Sequence, residues 1–233
     1  MHLLNDIKDS IIHLAFPHVC EGCGSDSLDK DHMLCLRCFG SLPLTFFQNH
    51  NDNPVEKMFW GRLNIVHATA QNYFTKESLM QRLMHQFKYR GNKELGLYLG
   101  KQMGKALISS GRFDDIDALV PLPLFKTKEK KRGFNQAAIL CEGIEEAWHK
   151  PVLTNAVIRS EHTESQTRKS RIERWQNIEG RFLVNNIEEI KGKHILLVDD
   201  VVTTGATLEA CGRAFSEVEQ IKISIATLCI STH

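Results

Sequence analysis

The stretch HILLVDDVVTTGATL, residues 194–208, leaves this chain few folds to choose from. Ile195, Leu196, Leu197 and Val198 form an unbroken apolar run, which suits a strand covered on both faces. Asp199 and Asp200 stand at its carboxyl end, where open α/β sheets place their ligand crevice. Val201, Val202, Thr203, Thr204, Gly205, Ala206 and Thr207 follow, and a helical stripe of Leu208, Cys211, Phe215 and Val218 begins at once.

Small residues let backbone N–H groups converge on one concavity, hydroxyls add donors, and a helix amino terminus adds a potential that favours anions. Residues 203–207 therefore read as a phosphate cradle. Two carboxylates beside such a cradle would repel a phosphate unless they had another use. Either they accept hydrogen bonds from sugar hydroxyls or they hold Mg²⁺ that bridges to the ligand. The expected ligand is a phosphorylated sugar, its phosphate on 203–207 and its diol near Asp199 and Asp200. The alternative is a plain βα turn with two solvated acids.

Cys20, Cys23, Cys35 and Cys38 are spaced C-x2-C, eleven residues, C-x2-C. Four thiolates at that spacing favour Zn²⁺ in a closed structural site, with no open catalytic position. Two disulfides or a redox pair would use the same spacing, but no thioredoxin-like βαβ pattern surrounds either pair. The segment between the pairs is too short and polar to hold itself together. Metal binding should be its folding energy, and chelation is expected to unfold the knuckle while the rest stays folded.

The remaining chain, 233 residues with a formal net charge of +1, has room for one mid-sized domain and a small appendage. No global field steers it to nucleic acid or membrane, and no apolar run approaches the ~18 residues of a span. Leu4, Ile7, Ile11 and Leu14 fall on one helical face that reads as packing on the protein, with membrane-surface contact as the alternative. Residues 41–62 read as a connector with Phe46 and Phe47 buried. Strands are expected at Val66–Phe74, Ile116–Leu122, Val152–Ile158, Gly180–Val184 and about Ile221–Cys229, and helices over 78–87, 92–109 and from an Asn135 cap to about 149. Gly96, Gly100 and Gly104 form a ridge along the second helix, which predicts a neighbouring backbone at close range. The basic run KTKEKKRGFNQ, 126–136, follows a strand end, so the crevice rule brings it, Lys126–Arg132 with Lys131 and Arg132 included, toward the same mouth as the two acids, where a diphosphate needs cations. Residues 159–177 are charged and lack an apolar stripe. They read as a loop over the site, or as an insertion without a role.

LLVDDVVTTGAT resembles the signature of type I phosphoribosyltransferases, which bind 5-phosphoribosyl 1-diphosphate (PRPP). Members acting on 6-oxopurines carry an Asp, thought to serve as base, where this chain has Thr203. An ordinary hydroxyl is a poor general base, so a 6-oxopurine acceptor is not expected. Together with the cysteine knuckle, HQFKYRGNKELGLYLG, LVPLPL, KRGFNQA and R…T..Q…R..N, the chain is similar to the ComF competence family from about Cys20 onward. That resemblance implies a type I phosphoribosyltransferase-like parallel sheet flanked by helices, with a small N-terminal four-Cys zinc knuckle. The expected division is 1–45 (helix and zinc finger) and 46–233 (phosphoribosyltransferase-like), the latter with a helical hood at 65–110 and a core at 114–233.

The resemblance further implies that 121–124, with Leu122, is the diphosphate loop, and that Arg132, Gly133, Phe134, Asn135 and Gln136 form a family motif. Arg159, Thr163, Gln166, Lys169, Arg171, Arg174 and Asn177 would belong to a characteristic loop, Arg171 contributing to PRPP binding. Mg²⁺ would accompany PRPP. The implied setting is cytoplasmic, in natural transformation, with single-stranded DNA and other competence proteins as further partners. Two readings stay open: a phosphoribosyltransferase of unknown acceptor, or a catalytically inactive PRPP sensor, single-strand binder or scaffold.

Overall fold

The apolar run at 195–198 becomes an inner strand, as its two-faced hydrophobicity predicts. The computed structural model describes residues 19–26, 28, 32–160 and 182–231. In chain order the elements are α1 (Leu36–Gly40), a 3-10 turn (Phe47–Asn49), α2 (Pro54–Phe59), β1 (Ala68–Phe74), α3 (Leu79–Tyr89), α4 (Lys93–Ser110), β2 (Ala118–Pro121), α5 (Lys126–Arg132) and α6 (Gln136–Trp148). They continue with β3 (Val157–Arg159), β4 (Phe182–Val184), α7 (Ile187–Ile190), β5 (His194–Val202), α8 (Ala206–Ala214), a second 3-10 turn (Phe215–Glu217) and β6 (Lys222–Ser231).

Four strands form one parallel sheet in the order β1-β6-β5-β2. Val198 is level with Pro121 on one side and Ala226 on the other, so the loops leaving β2 and β5 open at the same end. Side chains alternate between the faces. Leu196 and Val198 join a core with α3, α4 and α6, through residues such as Leu83, Leu99 and Leu140. Ile195 and Leu197 join a second core with Phe59 of α2 and Leu208 and Cys211 of α8. The sheet is doubly wound, the phosphoribosyltransferase-like architecture expected. No helix among the described residues is long and apolar enough to cross a membrane.

The glycine ridge has the predicted cause at Gly100 and Gly104, whereas Gly96 is crowded by the side chains of Phe87 and Ile139. A Cβ on Gly100 would lie 2.4 Å from the Leu140 carbonyl oxygen, and one on Gly143 of α6 would lie 2.3 Å from the Leu97 oxygen and 2.9 Å from Gly100 Cα. Backbone meets backbone here, so nothing can rotate away. Gly143→Ala forces α4 and α6 apart, with an expected loss of about 2–3 kcal/mol from overpacking. Gly40→Ala, where a Cβ meets nothing within 4 Å, should leave stability unchanged or raised. Denaturant midpoints of the two variants check this; equal midpoints would refute the packing account.

Several expectations change. Val152–Ile158 is not one strand: Val152 makes a single parallel bridge to Leu119, and Val157–Arg159 pairs antiparallel with β4 in a separate two-stranded sheet. Residues 41–62 contain α2, started by Asn53, whose side chain accepts from the N–H groups of Val55 and Glu56. Phe47 is buried but Phe46 is exposed, because Phe46 turns through a left-handed backbone (φ 57°) that points its ring outward. The basic run at 126–132 is helix α5 with no buried residue. The stripe at Leu4–Leu14, and Thr163, Gln166, Lys169, Arg171, Arg174 and Asn177, lie outside the described residues, as do Gly180 and Arg181 of the expected fourth strand.

The cysteine knuckle is not a free appendage. Cys20, Leu34 and Cys38 sit in the same core as Met80 and Leu83 of α3. A Cβ on Gly22 would strike Cys38 Sγ at 2.8 Å and Leu79 Cδ1 at 3.0 Å. Gln86 of α3 donates to the Glu21 carbonyl at 2.8 Å.

Candidate functional site

Three segments meet at the carboxyl end of the sheet. β5 delivers Asp199 and Asp200. The loop after β2 delivers Leu122, Pro123 and Leu124. Asn135 caps α6 by accepting from Ala137 N–H at 3.0 Å, and its Nδ2 donates to the Leu122 carbonyl at 3.0 Å, which fixes that loop against the helix. Together they line a cavity of about 350 Å³ that Phe74, Lys88, Lys128, Arg132 and Arg159 complete. Val201, Thr203 and Thr207 form its far wall.

Beside it is a smaller concavity of about 50 Å³, lined by Asp199 and by the run Val201, Val202, Thr203, Thr204, Gly205, Ala206, Thr207 and Leu208. Gly205 has φ +75°, and a Cβ there would also lie 3.1 Å from the Phe59 ring. Only glycine makes this turn at this closeness. Helix α8 begins at Ala206 with Gly205 as its cap; the Ala206 N–H donates to Thr204 Oγ1 at 3.4 Å, and the N–H groups that follow are those a helix amino terminus offers to an anion. The space suits one phosphate.

The acids differ. Asp200 Oδ2 is 2.9 Å from Lys88 Nζ and 3.9 Å from Arg132 Nη1. Arg132 is itself steadied by Gln136 Oε1 at 2.6 Å. Asp199 turns inward, where its Oδ1 accepts the N–H of Asp200 at 2.7 Å. Burial of the carboxyl, with the Asp200 charge beside it, pushes Asp199 up to about 8, against the pull of Lys88 and Arg132. Two acids and four cations thus share one cavity. Arg159 is held between Phe125, 3.5 Å from its guanidinium carbon to the ring centre, and Phe182 at 4.8 Å, a stacking that sets the orientation of the planar fork.

Of the residues expected from sequence, Asp199, Asp200, Val201, Thr203, Thr207, Leu122 and Arg132 line the larger cavity, and Val202, Thr204, Gly205 and Ala206 the smaller. Lys131 is exposed on α5 and is not in either wall: the helix turns its neighbours Lys128 and Arg132 to the mouth instead. Arg171 lies outside the described residues. Lys128 belongs to the basic run expected at the mouth, whereas Lys88 was not anticipated as a site residue. The signal for Lys88 was present, a lysine in the last turn of a helix that ends in KYRG, but only the tertiary fold carries that turn to β5.

The thiol sulfurs of Cys20, Cys23, Cys35 and Cys38 all lie within 4.8 Å of one another, with Cys23 and Cys35 3.8 Å apart. Tetrahedral coordination with Zn–S bonds of about 2.3 Å needs sulfur separations of about 3.8 Å. Burial pushes the Cys20 thiol up, but the N–H groups of Cys35, Cys23 and Gly22 outweigh it and bring it down to about 6. The N–H of Cys35 reaches its sulfur at 3.2 Å. The cluster is compatible with structural zinc. Cys141, Cys211 and Cys229 are fully buried, and burial pushes their thiols up, as core residues rather than ligands.

Residues 131–233 match the family model described as the phosphoribosyl transferase domain. Competence protein F of Haemophilus influenzae is 28% identical to this chain over 219 residues, covering 91% of each. Competence protein ComFC of Bacillus subtilis is 33% identical over 147 residues, 63% of this chain and 58% of that protein. Among solved structures, an adenine phosphoribosyltransferase superposes with a TM-score of 0.41 at 14% identity, over 61% of this chain and 73% of that one.

Proposed function

Because the chain belongs to the ComF family of competence proteins, we propose that it binds PRPP with Mg²⁺ at the mouth of β5 and acts in the cytoplasm on DNA taken up during natural transformation. The observation that supports this most is the adjacency of the 50 Å³ cradle and the cation-lined 350 Å³ cavity, with Asp199 common to both. A sugar carrying phosphate at one end and diphosphate at the other has the matching charge pattern. The cradle takes the 5-phosphate. Asp199 and Asp200 take the ribose diol, or hold Mg²⁺ with ligand oxygens and water. Arg132, Lys128 and Arg159 face the diphosphate. Bound Mg²⁺ would offset the charge of a departing diphosphate. Zn²⁺ in the four-cysteine cluster is structural in this reading.

A second reading, binding without turnover, is favoured by the titratable groups of the cavity. Its acids are committed to the sugar or metal, and its other charged groups are cations, so no described side chain is free to act as general base. Any transfer would rest on charge stabilisation. An acceptor screen for diphosphate release from PRPP, with single-stranded DNA among the acceptors, separates the two. Turnover establishes the transferase, tight binding with none establishes the sensor, and absence of PRPP binding overturns both.

A further inference from the structure

Arg62 belongs to no part of the cradle sequence, yet it grips that loop. Its Nη1 donates to the carbonyl of Thr204 at 2.9 Å and to that of Met58 at 3.0 Å. Its Nε donates to Glu209 Oε2 at 2.8 Å, while Arg213 Nε holds Glu209 Oε1 at 3.0 Å. Thr204 and Gly205 line the cradle, whereas Arg62 lines a different cavity, with Trp60, His67 and Arg112. Arg62 therefore meets the loop at the Thr204 carbonyl and is not among the residues that line the cradle.

The peptide between Thr204 and Gly205 is trans, as every peptide among the described residues is. In a trans peptide the C=O and N–H point in opposite directions. Drawing the Thr204 oxygen toward Arg62 thus turns the Gly205 N–H away from Arg62, on a residue that lines the cradle. Glycine lets that plane flip at little cost, so the loop alone does not hold it.

We infer that Arg62 is the positioning residue for the phosphate cradle, orienting the Gly205 N–H for a 5-phosphate that Arg62 never touches. This rests on the reading of 203–207 as the phosphate half of the site. The predicted signature is selective. In Arg62→Met, calorimetry should show affinity for ribose 5-phosphate and for PRPP falling by about tenfold, the effect of one oriented hydrogen bond to a charged group. Affinity for magnesium diphosphate, which the cradle does not hold, should stay unchanged. Arg62→Lys should recover part of the loss, because an ammonium can still reach the carbonyl. If Arg62→Met does not fold, Glu209→Gln, which loosens Arg62 while keeping it, should show the same selectivity at a smaller amplitude. Wild-type affinity for ribose 5-phosphate in the folded variants, or a parallel loss for diphosphate, overturns the inference alone. A wild-type protein that binds neither sugar phosphate overturns the site reading, and the inference with it.

Discussion

Replacing Asp199 and Asp200 together by Asn is expected to remove PRPP binding, with a loss of more than about 100-fold. Two charge-assisted contacts at roughly 1.5–3 kcal/mol each exceed the ~2.7 kcal/mol that this factor represents. The single variants should differ in stability, because the acids have different surroundings. Asp200 is the counter-charge of Lys88, whose side chain is only 17% exposed. Asp200→Asn leaves that ammonium enclosed and poorly paired, a loss on the order of 2–3 kcal/mol. Asp199 is raised to about 8 from 3.8, by its burial first and by Asp200 second. Both causes favour its protonated form, so Asn, a neutral amide of similar shape, should cost less stability here than at Asp200.

The sign of the pH dependence follows. The folded state holds the Asp199 proton over a range where the unfolded state has released it, so this group's contribution is fully present below about 4 and declines as pH rises toward about 8. Asp199→Asn should flatten that decline, while weakening PRPP binding because a ligand oxygen for Mg²⁺ or the diol is gone. Metal binding needs the deprotonated acid, so wild-type affinity for magnesium PRPP should rise between pH 6 and 9. Denaturant unfolding and calorimetry across that range measure both. Normal affinity in the double variant would sink the assignment of the site.

Much of this architecture could be read locally. An apolar run, two acids and a Thr-Gly-Ala-Thr turn are contiguous, and each link of strand, loop and helix is decided by neighbours in sequence. The Asn135 cap and the glycine ridge were legible for the same reason: a cap acts within two residues, and a helix face recurs every four. What was not legible depended on long range. Lys88 carries no mark that sends it to Asp200. Helix α5 has no apolar stripe because it buries nothing, so periodicity had nothing to find. Residues 157–159 resemble a core strand in composition, but their partner is Phe182–Val184, beyond a segment whose length sequence pattern does not measure. The four cysteines announced a metal site by spacing, and that same clarity hid the second role of Cys20 and Cys38 as core residues.

That second role decides the outcome of removing the metal. The knuckle has few bonds of its own among the described residues, such as Glu21 N–H to the Met33 carbonyl and Gly24 N–H to that of Cys20. Metal coordination by four thiolates would supply the rest of its stability, and such sites are worth about 10 kcal/mol or more at neutral pH. Without it, four thiols crowded within 4.8 Å retain no reason to converge. If the knuckle were a separate appendage, chelation would leave the remainder unchanged. Instead Cys20, Leu34 and Cys38 share one core with Met80 and Leu83, and Gln86 is bonded to Glu21 two residues before Lys88. Chelation is therefore expected to release near-stoichiometric zinc, uncover the apolar face of α3 and increase hydrogen exchange along it. It should also weaken PRPP binding through the loosened Lys88, and by linkage PRPP should tighten equilibrium zinc binding by the same factor that zinc tightens PRPP binding. Protein purified with oxidised cysteines and no zinc would refute the metal site. Stoichiometric zinc whose removal leaves α3 protection intact would instead show that the knuckle, though packed on the helix, does not support it.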